Sequence, residues 1–173
     1  MKQAITALLL GLIAHGASAQ VPAPPPCTSP EAKQFEFWIG DWDASFRNPD
    51  GTMGVGSNRV ESMWNGCVTQ ENFTTPLPLP YFGRSWSVYS PRMKKWQQTW
   101  VDSGGAYLDF VGEFGEGKMV LARDGFLGNG KMGKQRMTFY NISADKFDWD
   151  WESSEDGGKT WTLRWRINYT RKK

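Results

Sequence analysis

The chain has 173 residues, with 20 lysines and arginines against 18 aspartates and glutamates, one histidine and two cysteines. That length supports one hydrophobic core and does not divide comfortably into two. The near balance of charge supplies no basic field for nucleic acid or anionic lipid.

Residues 1–19 read as a secretory signal peptide: Lys2, an apolar run from Ala4 to Ile13, then small residues at Ala17 and Ala19. The run is too short for a permanent membrane anchor. Cleavage after Ala19 leaves 154 residues and removes His15, so the mature chain has no histidine. This excludes Ser-His-Asp and Cys-His nucleophile activation, histidine-ligated zinc and haem held by a proximal histidine. A secreted or periplasmic location follows from the leader. In such an oxidising compartment Cys27 and Cys67 are expected to form a disulfide; the alternative is a buried thiol at Cys67 and a free one at Cys27.

"QVPAPPPCTSP", residues 20–30, is a Pro-rich extended linker. It ends in a helix signal, with Ser29 as N-cap, Pro30 at the first position and Glu31 in the first turn. Phe35, Trp38 and Ile39 then share one face of a short helix that stops before Gly40. From there the apolar period changes to two, broken at regular intervals by Gly, Asn, Asp and Pro. Strands are predicted near 41–47, 54–63, 66–74, 83–90, 95–102, 106–114, 118–123, 134–141, 146–153 and 160–170. Short turns join most of them, so consecutive strands should pair as antiparallel hairpins. The expectation is an all-β domain over 31–173, an antiparallel up-and-down barrel of about ten strands closed on itself to remove its edges. Two segments interrupt the rhythm: "TTPLPLPYFG", whose prolines cannot donate to a ladder, and "RDGFLGNGKMGK", a Gly-rich loop with an exposed Phe126-Leu127 pair. Both are placed at a barrel mouth or on plain surface.

"SSEDGGKTW", residues 153–161, fits the Asp-box pattern of sialidase-like propellers. A propeller would repeat the signature on every blade, and it occurs here once. The stretch is therefore read as a hairpin, with Asp156 capping turn amides, Gly157 and Gly158 at positive φ and Trp161 packed on the sheet.

"FEFWIGDWDASF", "GCVTQENF", "GRSWSVY", "WQQTWVDSGG", "SSEDGGKTW" and the terminal "YTRK" together resemble a bacterial domain family of unknown function with a lipocalin-like (calycin) barrel. The resemblance runs in order over nearly all of the mature chain. It implies an architecture and no defined reaction. It also implies structural roles for Gly40 and Trp42 at the start of the first strand, and for a cation on the last strand that stacks over Trp42: Arg171, or else Arg166. Related calycin barrels commonly hold small hydrophobic molecules. The haem-binding branch uses histidine, which the mature chain lacks.

The ten tryptophans alternate along strands, as in Trp96 with Trp100, Trp149 with Trp151 and Trp161 with Trp165. They either fill a small barrel or line a pocket within it. Polar residues share these rows: Gln98 and Asp102 with Trp100; Ser85 and Ser87 with Tyr89; Thr69 and Glu71 with Phe73; Arg136 and Thr138 with Tyr140. A solid apolar core would not hold them without mutual satisfaction, whereas apolar walls with a few converging polar groups describe ligand pockets. The candidate ligand-binding set is Glu71, Tyr89, Gln98, Trp100, Asp102, Arg136 and Trp151, for a small hydrophobic or aromatic ligand, with no cofactor, no metal, no nucleic acid and no stable membrane insertion. A carboxylate enzyme using Glu71 with Asp102, or Glu61 with Glu71, is the second reading. A filled barrel that acts as a protein-interaction module is the third.

Overall fold

The computed structural model describes residues 27–78 and 80–173. The expected signal peptide and most of the Pro-rich linker lie outside these residues. The described chain opens on two successive 3-10 turns, Pro30–Lys33 and Glu36–Trp38. Ser29 caps the first, its hydroxyl accepting from the Ala32 amide at 3.4 Å. Phe35, at φ −97° and ψ 6°, separates the two turns.

Ten strands follow among the described residues: β1 (Gly40–Arg47), β2 (Met53–Met63), β3 (Val68–Thr75), β4 (Tyr81–Ser90), β5 (Lys95–Asp102), β6 (Tyr107–Gly115), β7 (Lys118–Phe126), β8 (Met132–Tyr140), β9 (Lys146–Ser154) and β10 (Thr162–Arg171). Each pairs antiparallel with its neighbours in sequence, and β1 pairs with β10 to close the barrel. The sequence places every one of these strands, with boundaries shifted by a few residues. The largest shift is in β7, which runs on to Phe126 and reduces the Gly-rich loop to residues 127–131. Phe126 is exposed there, but Leu127 is buried, contrary to the expected exposed pair. Gly133 makes room for it: a Cβ at that position would stand 2.5 Å from the Leu127 side chain.

Alternation sends one face of every strand inward. Trp42, Ala44 and Phe46 on β1, and Phe147 on β9, all point to the core. Connections β1–β2, β3–β4, β5–β6, β7–β8 and β9–β10 lie at one end, which forms the mouth. At the opposite end the 3-10 segment is packed into the barrel. Phe35 meets Trp96 edge-on with centroids 4.7 Å apart, and Trp38 meets Phe139 at 5.0 Å. Full burial of side chains this size contributes about 2–3 kcal/mol each, so the segment functions as a plug. Cys27 and Cys67 are bonded, with Cα atoms 5.0 Å apart, and tie the start of this segment to the turn before β3.

A lock joins plug, first strand and last strand. The Arg171 guanidinium lies 4.1 Å above the Trp42 ring. It donates to the carbonyls of Ile39 (2.8 Å), Phe37 (3.0 Å) and Ala144 (2.7 Å). Trp42 Nε1 donates to the Trp38 carbonyl at 2.8 Å. Gly40 has φ +135°, a backbone region that favours glycine, and any Cβ there would stand 2.2 Å from the Arg171 guanidinium. Arg166 is elsewhere, paired through two bonds with Asp150 on the outer surface.

The β9–β10 turn is built around Asp156. Its carboxylate accepts from the Ser154 hydroxyl, the Lys159 amide and both the amide and hydroxyl of Thr160. Gly157 and Gly158 have positive φ. Trp161 falls outside β10, and the pairing shifts between Leu163 and Trp165. The expected Trp161–Trp165 row is thus split. Trp165 faces the interior, while Trp161 is covered on the outer surface by the Arg136 guanidinium at 4.0 Å.

Candidate functional site

Between the plug and the mouth the barrel is not filled. A cavity of about 240 Å³ remains, lined by side chains of β3–β6 and β8–β10. An apolar cavity of about 150 Å³ accommodates benzene, so this one has room for an aromatic ring with short substituents.

Its two sides differ in chemistry. On β8–β10 the wall is apolar, with Met137, Phe139, Trp149, Trp151, Trp165 and Ile167. Trp149 and Trp151 stand parallel, 6.5 Å apart with 6° between planes, and Trp165 meets Trp149 at 86° and 5.9 Å, making an aromatic corner. On β2–β5 a band of polar side chains crosses the interior, made of Asn58, Glu71, Ser85, Ser87 and Gln98, all buried. Register explains the band, because Glu71 lies opposite Ser85 and Gln98 opposite Ser87. Glu71 Oε1 accepts from Asn58 Nδ2 and Oε2 from the Ser85 hydroxyl, each at 2.7 Å. Gln98 Nε2 donates to the Ser87 hydroxyl at 2.8 Å.

Among the described residues no lysine or arginine pairs with Glu71. Burial pushes its carboxyl up to about 7, against the opposing pull of the bonds from Ser85 and Asn58. Tyr169, buried beside it, is held well above the usual phenol range by burial first and by the Glu71 charge second.

Asp102 sits nearer the mouth, at the end of β5. Its Oδ2 accepts from the Tyr81 hydroxyl (2.8 Å) and Trp100 Nε1 (2.9 Å). Its Oδ1 accepts from the amides of Gly104 (2.8 Å) and Ala106 (3.1 Å). Burial favours its neutral form, but these bonds outweigh it and hold the carboxyl below its ordinary value. Tyr81 is pushed up by burial and by its bond to Asp102. With both oxygens occupied, Asp102 has no free position from which to relay a proton, and its arrangement is that of an anchor for two wall aromatics. Glu61 faces outward and pairs with Arg59 at 3.0 Å. Of the two carboxylate pairs singled out in the sequence, only Glu71 with Asp102 therefore shares the cavity.

The structure brings Glu71, Gln98, Trp100, Asp102 and Trp151 to one cavity. Tyr89 and Arg136 are not in it. Tyr89 packs on Trp96 at 5.8 Å, toward the plugged end. Arg136 lies on the outer face, bonded to Glu152 at 2.6 Å. Both faces of β8 carry an aromatic, Tyr140 outside and Phe139 inside, and the polar row of Tyr140 is the one on the outer face, partly covered by its neighbours. Sequence reasoning did not single out Asn58, Tyr81 or Trp165 for the site. Tyr81 directly follows a Pro-rich segment, which hid the start of β4, and Asn58, opposite Phe73 in the register, reaches Glu71 diagonally on the neighbouring strand.

No protein-family model matches the chain, and no curated protein matches it. Among solved structures the chain is similar to a redesigned beta barrel, 13% identical over 80% of this chain and 94% of that one, with a TM-score of 0.41. No described helix is long and apolar enough to cross a membrane.

Proposed function

We propose that this chain is an exported calycin-type barrel that holds a small apolar or aromatic molecule in its interior. The observation that carries this reading is the 240 Å³ cavity, walled by tryptophans, in a barrel plugged at one end. A barrel whose purpose was solely an external surface would gain stability by filling that space, since an empty cavity costs contact energy in proportion to its volume. The Cys27–Cys67 disulfide supports an oxidising destination. The Gly40, Trp42 and Arg171 lock supports the calycin reading, because it joins a short helical segment to the first and last strands as that architecture implies.

Tryptophan fluorescence of the mature protein, titrated with a panel of small aromatic probes and followed by native mass spectrometry, tests the proposal. Saturable quenching that Trp100→Ala weakens more than it weakens folding supports a binding site. A flat titration with every probe removes it.

A further inference from the structure

We propose that the ligand carries a cationic nitrogen, and that Glu71 in the cavity wall is its counter-charge, with the Trp149, Trp151 and Trp165 corner receiving its apolar body. This rests on the binding reading above and narrows it to amines. The lining contains two carboxyls, Glu71 and Asp102, and no lysine or arginine. Asp102 is saturated by four donors at the mouth. Glu71 accepts two bonds, one per oxygen, from uncharged donors, which leaves lone pairs on both oxygens and its charge uncompensated. A buried carboxyl without a cation is costly, and binding that supplies the cation recovers the cost. Indole faces add attraction for the same charge. The groups facing Glu71 from neighbouring strands sharpen the argument. Asn58 (β2) and Ser85 (β4) are neutral, Tyr81 (β4) and Tyr169 (β10) are phenols held in the neutral form, and Asp102 (β5) is an anion. None supplies positive charge. A neutral hydrocarbon ligand would leave Glu71 as it is, and an anionic ligand would be repelled.

The test compares 2-phenylethylamine with 2-phenylethanol, two probes with the same apolar body, by tryptophan fluorescence and calorimetry on the wild-type chain and on Glu71→Gln. The amine should bind roughly tenfold or more tightly than the alcohol, and Glu71→Gln should erase that preference. Amine affinity should rise as the pH increases from about 5.5 to about 8, because the carboxyl must be ionised to serve, and alcohol affinity should not. Ser85→Ala removes one of the two bonds that favour the Glu71 carboxylate, so it should move the rise in amine affinity to higher pH. This readout of Glu71 stands even if Glu71→Gln fails to fold, and an unmoved profile would overturn the role of Glu71. Equal binding of both probes overturns the cationic ligand and leaves the binding pocket standing. Failure of both probes, together with a flat response to other aromatics, overturns pocket and cation alike.

Discussion

The Trp100 indole lies over Gly83 of β4, so closely that a Cβ on Gly83 would stand 2.0 Å from the ring. Glycine at this position is therefore what allows the wall aromatic to lie there and to reach Asp102 with its Nε1. Gly83→Ala must displace the ring. The expected cost is about 1–3 kcal/mol of stability in urea, as for other overpacked sites, with a change in tryptophan emission and a weaker response to aromatic probes. An alanine variant with wild-type emission and midpoint would show that the close approach is dispensable.

Glu71 makes stability depend on pH in a definite direction. Its carboxyl is raised from an ordinary 4.5 to about 7. Below about pH 4.5 it is protonated in folded and unfolded chains alike and imposes no penalty. As pH rises toward 7 the unfolded chain ionises first, and stability falls by ~3 kcal/mol in total. Urea midpoints should thus decline between about pH 4.5 and pH 8, and Glu71→Gln should flatten the decline. The lowered carboxyls of Asp102 and Asp156 act on the acid side of this window, where protonation removes stability, so they do not mask it. A wild-type profile unchanged by Glu71→Gln would place the ionisation elsewhere.

Arg171→Lys keeps the charge and loses the fork. Three carbonyls, from Ile39, Phe37 and Ala144, now share one planar guanidinium stacked on Trp42. An ammonium has neither the plane nor the reach to serve all three. A loss of about 2–3 kcal/mol is expected, measurable as a lower thermal midpoint, with aromatic-probe affinity preserved in the fraction that remains folded. A midpoint equal to wild type would reduce the lock to a simple charge.

Reduction should separate disulfide from fold. The Cys27–Cys67 bond closes a loop with a sequence separation of 40, for which a stabilisation of about 2–4 kcal/mol is ordinary. Reductant should lower the midpoint of the wild-type chain by that amount and leave Cys67→Ser unaffected. Identical wild-type midpoints with and without reductant would contradict this account.

The architecture was legible because most strands carry a period-two apolar pattern and each turn its own Gly, Asn, Asp or Pro. Even the single Asp box could be assigned to a turn, and Asp156 indeed holds the amides of Lys159 and Thr160. The interior was only half legible. In β3, β4 and β5 the polar rows of Glu71, Ser85 and Gln98 coincide with the inward face, because these residues satisfy one another across the register. In β8 the same reasoning selects Arg136, whose partner Glu152 lies on the outer face of β9. Polar residues that satisfy each other read alike inside and outside a barrel. Deciding between them takes the neighbouring strand, which period alone does not identify. Trp161 was misplaced for a different reason: the irregularity before Trp165 interrupts the alternation within one strand.

The pairing of β1 with β10 also sets an order of assembly. The other pairings join strands adjacent in sequence and can zip as local hairpins, whereas Trp42 meets Arg171 only when the two ends of the barrel domain come together. Such a distant contact carries the largest loop-closure entropy and is expected to form late. Until then β1 and β10 each present an unpaired edge, the kind of template on which a second copy can add a strand. A chain truncated before β10 would expose the edges of β1 and β9 instead, so its mode of failure would be self-association rather than a looser monomer.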